Sequence, residues 1–504
     1  MMRKYKISNL LGIGVLLMTL AFAVSSCLDL DEDPAKSRLA PGSYSNQAEL
    51  ELGVTGLYVQ LEAMARMTTF MVSGWGGDDI TTHKVSNKAD FREYDQRSVS
   101  ALNARSATNW ASIYSVVRAA NNVIANAKDL KLSDQNAQNR LMGETYFMRA
   151  LVYMHLTRIH GRIPLQLQPE PIVDLPLASQ EEVYKQIESD LKQAEAMLPL
   201  IYPNVSAGAP RPNQGSAKAI LARLYLDWAG YPAKDQSKYA LAAAKAKEVI
   251  DNQKSYGFSL VTDLESLWTI ANRFNSESIF TIVYNQPLGV GNRKYGMLGH
   301  PSDLKGWQET FGEIRFFEDF PAGPRKAATY RLDYDWENFT DQTNPVFKKI
   351  VGPKGDIPLT SFDTDRNDYY MRLAEVNLIF AEASGRSGNV TPAAWEALNQ
   401  IRRRAAGKPF ATPDPSVDLT SGDIAELAFT ERKWEFAGEY LRWNDLVRME
   451  RVKEALSQRN PRTSKNKAGE LLKVSNPIIG SLEKDNYFAP IPQNEVNLNP
   501  NLGN

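Results

Sequence analysis

Aromatics and carboxylates standing outside regular helical spacing are the residues of this chain best suited to hold a ligand. Trp75, Tyr94, Tyr295, Trp307 and Trp336 lie in such segments, and Asp78 and Asp79 follow Trp75 closely. A sugar ring carries apolar C–H faces beside polar hydroxyls. Flat aromatic platforms with neighbouring carboxylates form the kind of surface that holds one. These residues are the candidate ligand-binding set, with Trp75 and Trp307 foremost. The competing use of each aromatic is to pin a loop to the scaffold.

Catalytic patterns are not found. Asp78 and Asp79 are adjacent, so alone they do not supply the two carboxylates that glycoside hydrolysis sets across a cleft. The 4 His make no metal pattern; His155 and His160 are five apart and diverge on a helix, unlike H-E-x-x-H. There is no G-x-S-x-G elbow and no G-x-x-x-x-G-K-[ST] phosphate loop. Asp363-Thr364-Asp365 opens like a calcium loop, but Asp368 stands where Gly is needed and Ala374 where the bidentate Glu belongs. Capping of a helix that starts near Tyr369 is the expected use of Asn367 or Asp368. The expected catalytic, metal and cofactor sets are therefore empty, and the chain is expected not to be an enzyme. Lys and Arg total 58 against 59 Asp and Glu, so no bulk charge points to nucleic acid.

The elements that must position these residues read as mainly α-helical. Between Ala425 and Leu456, Phe429, Phe436, Tyr440, Trp443 and Val447 recur at helical spacing, which predicts one helix of about five turns. Glu431, Glu435, Glu439, Arg442, Asp445 and Arg448 read as its solvated, ion-paired flank. Upstream, helical patterns occupy Gln47 to Met71, Trp110 onward, a block beginning after Asn139, and the runs EEVYKQIESDLKQ, GSAKAILARLYL and SKYALAAAKAKEVID. YYMRLAEVNLIFAEA and TPAAWEALNQIRRRA form a further unit. Small Ala against large Tyr, Leu or Phe in helical pairs is similar to tetratricopeptide units. Ser73 to Asn109 reads as loop, and residues of about 256–368 as a loop-rich insertion with a few short strands, where function concentrates.

At the N-terminus, Arg3, Lys4 and Lys6 precede an apolar run from Leu10 to Val24, and then Val24-Ser25-Ser26-Cys27. This resembles a lipoprotein signal segment (residues 1–26) ending in a lipidation site at Cys27, the only Cys. Residues 27–45 read as a tether, and 46–504 as the folded domain. The acidic run Asp29, Asp31, Glu32 and Asp33 resembles an export signal to the outer cell face.

The stretch carrying Glu431, Arg432, Glu435, Glu439, Arg442, Trp443, Asp445, Leu446 and Arg448 resembles the C-terminal signature of the SusD/RagB family. NWASIYSVVRAANNVI, GETYFMRALVY with IHGRIPL, PNQGSAKAILARLYL, YYMRLAEVNLIFAEA, LNQIRRRA and YFAPIPQNEVNLNPNL fall in the same family order. The resemblance implies a lipid-anchored outer-membrane protein facing the exterior that captures a nutrient for a SusC-like TonB-dependent barrel. A glycan is the first expectation and a peptide, as for RagB, the alternative. A surface glycoside hydrolase and a scaffold without a small ligand are the rivals.

Overall fold

The computed structural model describes residues 43–66, 69–83, 87–202, 211–299, 306–332, 345–356, 362–457, 459 and 477–503. The expected signal segment, Cys27, the tether up to residue 42, and Trp336 lie outside these.

Local chemistry sets the starts of the helices. In order they are α1 (Gln47–Arg66), α2 (Ala89–Asp95), α3 (Ala104–Asn126), α4 (Gln135–His160), α5 (Gln180–Met197), α6 (Gln214–Ala229) and α7 (Lys238–Asp251). Asn103 caps α3 by accepting from Ser106 N, and Asp134 caps α4 by accepting from Ala137 N. Ser179 with Glu182, and Asn213 with Ser216, close capping boxes on α5 and α6. Each such cap contributes about 1 kcal/mol. The caps also start α3 and α4 earlier than Trp110 and the residue after Asn139, where periodicity placed them.

Packing then stacks the helices. α1 lies on α3, α3 on α4, α4 on α5, α5 on α6 and α6 on α7. α6 is buried nearly all round, from Ala217 and Ile220 to Leu224 and Trp228. The insertion follows α7 and holds α8 (Ile314–Asp319), α9 (Pro324–Thr329) and α10 (Lys348–Val351). The chain returns as α11 (Leu373–Arg386), which packs on α7, and α12 (Pro392–Ala405) and α13 (Ile424–Glu435) pack on α11. Strands are short: β1 (Ile80–Thr82), β2 (Ser278–Ile282), β3 (Thr310–Gly312), β4 (Tyr330–Arg331), β5 (Val346–Phe347) and β6 (Asp368–Arg372). They pair antiparallel as β1 with β3, β2 with β6 and β4 with β5. β2 and β6, with Ser278 opposite Arg372 and Ile282 opposite Asp368, close the neck of the insertion. A mainly α, tetratricopeptide-like scaffold with a loop-rich insertion is the observed architecture. Among the described residues, no helix is long and apolar enough to cross a membrane.

Four local expectations are corrected. The stretch from Ala425 to Leu456 is three helices, α13, α14 (Arg442–Arg448) and α15 (Val452–Leu456). Gly438 (φ 77) and Tyr440 (φ 61) turn the chain between the first two. Gly438 donates its N–H to Asp79 Oδ2 at 2.9 Å, and a Cβ there would sit 2.4 Å from the Phe347 ring. Only glycine fits this left-handed close approach.

The ion-paired flank is buried rather than solvated. Glu435 accepts from Arg372 Nη1 and Arg404 Nη2, each at 2.8 Å, and Arg325 Nη1 lies 3.3 Å from its other oxygen. Asp445 binds Arg432 at 3.0 Å and Arg448 at 2.9 Å, and Arg448 reaches Glu382 at 2.6 Å. Burial pushes the Glu435 carboxyl up, but the Arg404, Arg372 and Arg325 guanidiniums outweigh it and hold the group well below the usual range.

Thirdly, the segment expected as loop from Ser73 is largely buried and holds a 3₁₀ turn (Thr69–Gly76), β1 and α2. Finally, residues 368–372 form β6 rather than the start of a helix, because they pair with β2. The calcium-like carboxylates all turn to protein donors. Asp363 takes Arg66 (3.3 Å), Asp365 takes Gln286 N (2.5 Å), and Asp368 takes Tyr284 Oη (2.7 Å) and Lys294.

Candidate ligand-binding surface

Five of the expected ligand residues are buried, and their polar groups serve the fold. Trp75 is fully buried, its ring tilted against Phe91 with centroids 4.5 Å apart and its indole N–H donated to Thr310 Oγ1 at 3.2 Å. It presents no ring face to a ligand. Asp78 is buried against Arg442, whose Nε donates to it at 2.7 Å. Asp79 is buried on Gly438, as described above. Tyr94 is buried, and desolvation pushes its phenol up to about 12. Tyr295 is buried too, in a single tight turn (Tyr295–Gly299). The expectation for this group is corrected: aperiodic sequence here marks irregular core, not open loop.

Tyr295 does line a cleft, together with Trp268, Lys294, Asp368, Tyr369, Tyr370 and Glu439. The cations of this cleft are ion-paired: Lys349 with Glu439 at 2.6 Å, Arg366 with Asp356 at 3.0 Å, Arg158 with Asp227 at 2.8 Å. Its space is about 120 Å³.

Trp307 is different. It is 38 % exposed. Its ring meets the edge of Phe362 at 5.7 Å, and the Lys88 ammonium lies 4.3 Å from the ring centroid. Arg293 lies 5.4 Å from the Phe362 ring and 3.6 Å from Asp363. Gly296 fastens the two aromatics, donating N–H to Phe362 O at 3.1 Å and accepting from Trp307 N at 2.8 Å. Thus a partly exposed aromatic pair, Trp307 and Phe362, has a cation over each ring and a carboxylate beside Arg293, on a segment that runs into β3. The arrangement can stack a ring and hydrogen-bond its hydroxyls. Among the described residues, no group of three or more His, Cys, Asp or Glu could hold a metal ion.

Comparison with known proteins places this architecture. The model of the SusD family matches residues 333–504, and a model described as starch-binding and associating with the outer membrane matches residues 28–226. The chain belongs to the SusD/RagB family. SusD-like protein P2 of Formosa agariphila is 25 % identical, over 99 % of each chain. A laminarin-binding SusD-like protein of known structure is 25 % identical, with a TM-score of 0.70 over 90 % of this chain and 98 % of the other. A structure solved with xylogluco-oligosaccharide shares the fold, with a TM-score of 0.72 and 23 % identity over 90 % and 97 % of the two chains. Association with the outer membrane follows from the matched family.

For a SusD-like chain, the residues missed by the sequence reading are Phe362, Lys88 and Arg293. Phe362 lies in a short polar run with no periodicity to single it out. One signal was available: Gly296 has Phe362 Cδ2 2.4 Å from where a Cβ would stand. A glycine in an aromatic-rich insertion marks such a close approach.

Proposed function

We propose that this SusD-like protein binds an oligosaccharide on the surface around Trp307 and passes it, chemically unchanged, to a SusC-like TonB-dependent barrel. The observation that carries the reading is the partial exposure of Trp307, with Phe362 at its side, Lys88 over its ring and Arg293 over Phe362. The laminarin-binding relative and the xylogluco-oligosaccharide structure support a glycan as ligand. Calorimetry against laminarin- and xyloglucan-derived oligosaccharides tests it. Trp307→Ala is expected to weaken binding about 5- to 150-fold, the loss of one stacking platform of roughly 1–3 kcal/mol. Unchanged affinity in a folded variant moves the site elsewhere, and binding of peptides alone replaces the glycan by a peptide.

The anchor belongs to the same reading: Cys27 carries acyl chains that hold the protein on the outer face of the outer membrane, above its barrel. Several chains give stable attachment where one is marginal. Palmitate labelling followed by affinity recovery in mild detergent is expected to return a labelled protein with a large barrel. An unlabelled, solitary protein overturns both parts.

A further inference from the structure

We propose that Asp79 is a proton-dependent tie between the helical scaffold and the strand that leads from Trp307. The tie is tight when the carboxyl is protonated and loosens when it ionises. The geometry carries this inference, whatever the Trp307 surface binds. Asp79 is fully buried, and its two ends fasten different parts of the molecule. Its side-chain Oδ2 accepts from Gly438 N at 2.9 Å, in the turn between α13 and α14. Its backbone carbonyl accepts from Glu313 N at 2.9 Å, one residue beyond β3. Its second carboxyl oxygen, Oδ1, is buried without a hydrogen-bond partner.

The neighbouring charges explain why ionisation is resisted. Asp78 lies beside it in sequence. Arg442 on α14 is the nearest cation, but its Nε and Nη2 are given to Asp78 at 2.7 and 3.3 Å. Lys433 on α13 lies 4.0 Å from the same Asp78 oxygen that Nη2 reaches. Tyr440 of the turn, Tyr330 of β4, Glu313 at the head of α8 and Arg459, whose charge acts on Asp78 and Glu313, are the other titratable groups around the pair. Arg442 and Lys433 attract Asp79, but less than burial opposes its charge, and Arg459 is held by Asp95 at 2.7 Å. Desolvation, then repulsion from Asp78, pushes its carboxyl up to about 7, while the Gly438 N–H pulls the other way.

The sign follows from linkage. An acid raised in the closed state and ordinary in the opened state stabilises closure fully at low pH. That contribution is lost as pH rises from the ordinary carboxylate range to about 7, and is constant above. Opening is thus expected to become easier by about tenfold per pH unit over that window. His83 and His160, both pushed down to about 4 by burial, regain the ordinary imidazole range when exposed and so favour closure as pH rises between those values; this effect is common to wild type and an Asp79 variant and cancels in their difference.

The experiment compares melting temperature from pH 4.5 to 8.5 in wild type and Asp79→Asn, which keeps an acceptor for Gly438. The variant's advantage over wild type is expected to grow between pH 5 and 7 and then level off. A constant difference across the range overturns the inference. If the variant does not fold, hydrogen exchange of the wild type decides. Protection of residues 306–313 and 436–441, corrected for the intrinsic rate and measured in a His83→Gln background because His83 packs on Phe311, is expected to fall from pH 5 to 7. Equal protection at both ends overturns it.

Discussion

Glu435→Ala is expected to lower the stability of the folded domain by about 3–5 kcal/mol, the cost of breaking a buried charge pair by removing one partner. Three guanidiniums converge on this carboxylate: Arg372, Arg404 and Arg325. Arg372 keeps Glu277 at 2.7 Å and Glu439 at 2.8 Å, and Arg404 keeps Glu277. Arg325 keeps Glu431. No cation is wholly orphaned, but the cluster loses its central negative charge in a site sealed from water. Against a total stability of about 5–15 kcal/mol, the loss is a large fraction. Urea denaturation of wild type and variant measures it. A loss under about 1 kcal/mol, the scale of a solvated surface pair, would show that the network is exposed in solution. The Glu435 carboxyl is held low, so its contribution is present above the ordinary carboxylate range and is lost only as pH falls far below it.

Trp75→Ala is expected to cost a similar amount, about 3–5 kcal/mol, as for truncation of a fully buried aromatic. The indole is packed on Phe91 and set edge-on to Tyr440 at 6.0 Å, so its removal opens a cavity where three segments meet. Glycan affinity per folded molecule should change little. Trp307→Ala should do the reverse, sparing stability and reducing affinity. Thermal melts and calorimetry on both variants give a two-by-two result. Loss of affinity in Trp75→Ala with an unchanged melt would return Trp75 to the ligand surface.

The contrast between these two tryptophans shows where the sequence was legible. Helical spacing located α4 to α7, α11 and α12, because a face apolar every three or four residues has one way to be buried. It could not see the break at Gly438. Phe436, Tyr440, Trp443 and Val447 stay buried on both sides of the turn, so periodicity runs through it unbroken. Nor does a charged residue reveal its depth. Glu431 and Arg448 read as a surface flank because the partners that make burial tolerable, Arg325 and Glu382, come from distant segments. Trp75 and Trp307 both lack regular spacing, and only tertiary packing separates them. The glycines beside Trp75 held a clue: a Cβ at Gly74 would lie 2.6 Å from Tyr440, and one at Gly76 2.9 Å from Trp443. They permit close packing where the sequence reads as loop.

The closed neck of the insertion also orders the folding of the chain. α1 and α3 through α7 pack on near neighbours in sequence, so they can assemble early. α11 must cover α7 across an excursion of about 120 residues, since α7 ends at Asp251 and α11 begins at Leu373. Closing a loop of that length costs about 4 kcal/mol beyond a constant term. Leu373 follows directly on Arg372, the last residue of β6. Zipping β6 onto β2 therefore delivers α11 to its place. It also carries Arg372 to Glu277, so a central pair of the buried charge network is made in the same step. A chain cut after α7 would keep α6 but lack the second helix that packs on α7.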